Sequence, residues 1–136
     1  MTSVSAKSLI ASVALAAVFF GGCKSRPVAD VIGAPIPVAG GKTVSMDDVT
    51  NAIVRAGARS GWQVTPEAAG RLSARYNHLQ HSAIVEITHD TKTYNIKYRD
   101  SANLKADAGE IHKVYNRWVS NLDRSIRGEL AFLPSQ

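Results

Sequence analysis

The chain of 136 residues contains one cysteine, so no disulfide can form within it and the fold must stand on its hydrophobic core. Aromatic residues make up only 7%, and alternation places none on the outer sheet face, where a base-stacking platform would need them. The longest apolar run, Leu9 to Phe20, has 12 residues and is interrupted only by Ser12. A membrane-spanning helix needs about 20, so this run is too short for one. Glycine-rich phosphate loops, a Gly-x-Ser-x-Gly nucleophile elbow and zinc-type ligand spacings are also missing. These absences argue against nucleotide hydrolysis, serine hydrolysis and metal chemistry.

What remains is ordinary globular material, 45% apolar and 20% charged, long enough for one compact domain. Formal net charge is +5. Such an excess attracts acidic partners through the summed surface field rather than through one site.

The N-terminus has the layout of an export signal. Lys7 precedes the apolar run, and Gly21 and Gly22 follow it where a signal peptidase needs extended, unobstructed backbone. The quartet Phe20-Gly21-Gly22-Cys23 resembles the lipobox of bacterial lipoproteins, with Phe20 where an aliphatic residue is usual. The resemblance implies that residues 1–22 are removed and that the Cys23 thiol carries a diacylglycerol, the new amino group being acylated as well. Loss of Lys7 leaves 15 basic against 11 acidic residues, a net charge of +4. Each buried methylene contributes about 0.8 kcal/mol, so two or three chains hold a protein firmly to a bilayer. Lys24, rather than aspartate, follows the cysteine. Within the resemblance this favours the outer membrane, facing the periplasm, and the whole chain is similar to the small lipoproteins of Gram-negative bacteria.

Residues 23–43 hold Pro27, Pro35 and Pro37 with Gly33, Gly40 and Gly41, and this punctuation predicts a flexible linker about 25 Å across. A single domain is expected over 44–136. Ser45, Asp47 and Asp48 suit a helix start, and Val49, Ala52, Ile53 and Ala56 give its apolar stripe. "GRLSARY", "HSAIVEITHD" and "TYNIKYRD" alternate strictly and predict three strands joined as hairpins. "WQVT" has room to add a short fourth. Ile111, Tyr115, Trp118, Leu122 and Ile126 step by three or four, predicting a long final helix from about Glu110 with Asp107 near its start. The expected fold is α+β in the order α-β-β-β-α, an antiparallel three-stranded sheet with both helices on one face.

Candidate chemistry is sparse. His78 and His81 flank a turn, whereas His89 and Asp90 lie a strand's length away, roughly 25 Å. No metal site is expected. Asp100, Ser101 and His112 can be drawn as a hydrolytic set but sit where turn and capping residues belong. Glu86 and Glu110 form no evident acid pair. Tyr94, Tyr98, Tyr115 and Trp118 read as core, and Trp62 as an anchor for the first helix. The outer sheet face is the most suggestive surface, since alternation puts Arg71, Arg75, Lys97 and Arg99 on it. Four cations there suit an anionic ligand or another envelope protein; nucleic acid is disfavoured. The expectation is therefore a lipid-anchored, non-catalytic binding or assembly protein without a cofactor. The alternative is a periplasmic small-molecule binder or enzyme with its site between the sheet and the last helix.

Overall fold

The computed structural model describes residues 25–38 and 43–133, so the lipobox and Cys23 lie outside the described residues. Seven strands and two helices follow one another: β1 (Ser25–Pro27), β2 (Val31–Pro35), α1 (Met46–Arg59), β3 (Gln63–Ala68), β4 (Arg71–His78), β5 (His81–His89), β6 (Thr93–Ala102), β7 (Glu110–His112) and α2 (Val114–Ala131).

Helix α1 starts where its capping chemistry dictates. The Asp48 amide donates to Ser45 Oγ at 3.0 Å, and the Ser45 amide donates to Asp48 Oδ2 at 3.2 Å. Two of the otherwise orphaned donors are thereby satisfied. The predicted stripe of Val49, Ala52, Ile53 and Ala56 is fully buried. At the far end Gly61 takes φ +82°, a backbone that glycine adopts without cost, and the Trp62 amide turns back to the Gly57 carbonyl at 2.8 Å.

Strands β3 to β6 run as an antiparallel meander, and their apolar halves face one side. Leu72, Ala74, Ala83, Val85, Ile87, Tyr94 and Ile96 are all fully buried. Both helices lie over this face. Tyr94 donates to Asp123 on α2, and His89 is hydrogen-bonded to Thr50 on α1. The helices are joined to each other by Ser125 Oγ, which donates to the Ala56 carbonyl at 3.0 Å, and by Glu129, which pairs with Arg55 and Arg59.

The sheet has five strands in the order β2-β6-β5-β4-β3, not three, and a separate pair β1-β7 adds a second small sheet. The expected α-β-β-β-α order is therefore wrong in strand count and arrangement. Two of the extra strands come from the segment expected to be linker. Proline and glycine are tolerated there because the strands are short and lie at an edge. Val31, Ala34 and Pro35 pair with Ile96, Tyr94 and Thr93, with an irregularity that accommodates Gly33 at φ +63°. Gln63–Thr65 of "WQVT" begin a six-residue edge strand that continues through Pro66 to Ala68.

The last helix also begins later than its periodicity implies. Ile111 fits the helical stripe, yet it is a strand residue, fully buried and opposite Arg26. Asp107 does not sit at a helix start. It closes a tight reverse bridge with Glu110, each amide donating to the other's carbonyl at 2.9 and 2.8 Å.

Candidate functional site

The face of the sheet turned away from the helices is built from alternate residues of four strands. One row across it reads Gln63, Arg75, Ile84, Asp100, and the next reads Thr65, Ser73, Glu86, Lys97. Two irregularities bend it. On β6, Ile84 faces Asp100 and Val85 faces Tyr98, which leaves Arg99 as the extra residue of a bulge. On β3 the register shifts between Pro66 and Ala68, at Glu67. Bulges of this kind sharpen the local twist.

β3 and β6 are separated by two strands, about 14 Å in a flat sheet at roughly 4.8 Å per strand. The long side chains of Arg99 and Glu67 bridge that distance, Arg99 Nη1 meeting Glu67 Oε1 at 2.9 Å. The face holds an open concavity of about 590 Å³, lined by Arg75, Arg99, Glu67 and Asp100 among others, with Ile84 as its one apolar lining residue.

All four cations expected on this face are there, in different electrostatic states. Arg99 and Arg71 both pair with Glu67, at 2.9 and 3.7 Å. The hydrogen bond from Arg99 is the main reason the Glu67 carboxyl titrates below its ordinary range. Lys97 stands directly across from Glu86. Among the described residues no carboxylate lies within 4 Å of the Arg75 guanidinium. The face is thus not a uniformly basic patch. It is a mixed polar surface: among the described residues neither Arg75 nor Lys97 has a carboxylate within 4 Å, and Asp100 lines the same hollow as Arg75.

No sequence pattern singles out Gln63, Thr65 and Glu67 as site residues, because Pro66 interrupts the alternation of β3 that carries them. Alternation carried past Trp62 puts all three on the outer face.

The remaining candidates are dispersed. His78 and His81 oppose each other across the β4–β5 turn, whereas His89 is buried at the other end of β5. His89 Nδ1 lies 2.9 Å from the Asp90 carbonyl and His81 Nδ1 2.9 Å from that of Asn103. Ser101 Oγ is hydrogen-bonded to the Tyr98 hydroxyl at 2.9 Å, and His112 Nδ1 accepts from the Val114 amide at 3.2 Å. Among the described residues no group of three or more histidine, cysteine or acidic side chains converges on a point.

The space between the sheet and α2 is filled. Tyr94, Tyr115, Leu122 and Ile126 are fully buried in it. Trp62, Tyr76 and Trp118 stack in sequence, with ring centroids 5.3 and 4.7 Å apart. No protein-family model matches the chain, and no curated protein or solved structure shows significant similarity to it.

Proposed function

We propose that this chain is an exported protein, held by a lipid on Cys23 to the periplasmic side of the outer membrane, that binds a partner in the hollow of its outer sheet face and performs no chemistry. The observation that carries the binding reading is the position of Arg75. Among the described residues its guanidinium has no carboxylate within 4 Å, although Asp100 lines the same concavity, and the other cation there, Arg99, is already committed to Glu67. A guanidinium presented this way offers paired donors suited to a carboxylate or phosphate. Gln63, Thr65 and Ser73 beside it add neutral hydrogen-bonding groups. An acidic group on another envelope protein or an anionic ligand fits that chemistry.

The anchor reading is supported by the signal layout of residues 1–22 and the lipobox resemblance. Crosslinking of the full-length protein in native envelopes, with and without Arg75→Glu, tests the binding site. Capture of a defined partner should be lost in the variant. Unchanged capture rejects the hollow as the binding site. Cys23→Ser should separately move the protein from the membrane to the soluble fraction, and unchanged fractionation rejects the anchor.

A further inference from the structure

The first strand starts at Ser25, two residues after Cys23. Two fully extended residues span at most about 7 Å. An acyl group on Cys23 would therefore hold the fold directly against the bilayer, with no spacer between them. This inference rests on the anchor reading and adds an orientation to it.

The pairing of β1 fixes which end of the fold is concerned. Ser25 lies opposite His112, and the His112 amide donates to the Leu104 carbonyl at 2.8 Å. The neighbouring Asn103 is tied to the β4–β5 turn twice. Its carbonyl lies 2.9 Å from His81 Nδ1, and its side-chain amide donates to the Gln80 carbonyl at 2.5 Å. Strand β1, the segment 103–109 and the turn at 79–80 thus form one continuous end of the molecule.

Leu79 stands at the tip of that end. It is 89% exposed and takes φ +54°, in the left-handed region where a leucine is disfavoured and glycine or asparagine is at ease. A bulky apolar side chain is held in water on a backbone that suits it poorly. Arg26, Lys105 and Lys113 are exposed on the segments that form this end, with Lys24 adjoining in the chain; Asp30, Asp107 and Glu110 are exposed on the same segments. An exposed apolar tip on an end that also carries cations is chemistry suited to a bilayer interface containing anionic headgroups.

We infer that this end is a membrane-docking face, and that Leu79 enters the headgroup–acyl boundary as a second, reversible contact beside the lipid on Cys23. The opposite end, with the β5–β6 turn at Lys92, points away from the membrane. The concavity is on a side wall, open to partners in the periplasm.

Site-directed spin labelling of the full, membrane-extracted protein tests this. Cys23 is the sole native cysteine. Once acylated it is blocked, so Leu79→Cys and Lys92→Cys each label at one place. After reconstitution into phosphatidylethanolamine–phosphatidylglycerol vesicles, the label at 79 should shift to preferential collision with oxygen and that at 92 with an aqueous nickel chelate. Equal aqueous exposure at both positions on acylated protein overturns the docking face and leaves the anchor standing. An intact mass without acyl chains, or labelling of Cys23 itself, overturns the anchor and this inference with it.

Discussion

Thr50 Oγ1 on α1 lies 2.8 Å from His89 Nε2 at the end of β5, and His89 Nδ1 lies 2.9 Å from the Asp90 carbonyl. The imidazole, only 7% exposed, thereby joins a helix, a strand end and a turn. His89→Ala leaves both partners without it. Stability in urea should fall by about 1–3 kcal/mol. Thr50→Val should cost less, and the double variant should lose less than the two singles combined, because both remove the same bond. Strict additivity in that cycle contradicts the joint.

Two glycines in helices should respond oppositely to alanine. At Gly57 an added methyl carbon falls 2.1 Å from Val64 Cγ2, so the Val64 side chain or the edge strand β3 that carries it must shift. The helix-propensity gain of about 1 kcal/mol is outweighed by overpacking of about 1–3 kcal/mol. At Gly128 on α2 the same carbon meets nothing within 4 Å. Gly128→Ala should stabilise by about 0.5–1 kcal/mol. Melting temperatures of the two variants should move in opposite directions, and a shift of the same sign refutes the packing argument at Gly57.

The two fully buried tyrosines set the alkaline limit. Burial first, then the hydrogen bond to Asp123, raises the Tyr94 phenol above the usual 10; burial first, then Asp30, raises Tyr115. Above about pH 10 the folded state holds these protons while the unfolded chain releases them. Their stabilising contribution is therefore complete below that pH and is lost as pH rises toward the folded values. Absorbance of tyrosinate should show two phenols titrating late, together with unfolding. Tyr94→Phe gives up the Asp123 bond at 2.5 Å and should cost about 1 kcal/mol or more. Tyr115→Phe should be neutral or stabilising, since no described group accepts from its buried hydroxyl.

Glu67 governs the charge of the concave face. Glu67→Gln should free Arg71 and Arg99, so that the protein elutes from an anionic resin at higher salt. Stability should change little, because the pairs are exposed. In wild type the same release should occur in acid. A depressed carboxylate keeps its bridges above its ordinary 4.5 and loses them only as pH falls through its lower folded value. Identical elution of Glu67→Gln and wild type excludes this control.

The parts of the fold visible in the sequence are those set by local pattern. α1, with its cap and stripe, and the alternating centres of β4, β5 and β6 depend on neighbours within a few residues. β1, β2 and β7 depend on partners far along the chain: Ser25 pairs with His112 and Val31 with Ile96. Three to five residues containing proline or glycine carry too little pattern to announce a strand. Ile111 satisfies both a helical stripe and a buried strand position, so spacing alone cannot choose between them. The site divides in the same way. Alternation puts four cations on one face, but the pairing of Arg71 and Arg99 depends on a bulge at Arg99 and an edge strand beyond Pro66, which only the assembled sheet brings together.

The pairing of β1 with β7 also orders events in time. A chain made from its N-terminus produces Ser25–Pro27 almost first, yet their partners Glu110–His112 come more than eighty residues later. Closing so distant a contact is slow, and no earlier strand supplies a substitute. Throughout synthesis, then, Ser25–Pro27 lack their strand partner, and the fold closes that stretch only after the rest of the sheet exists.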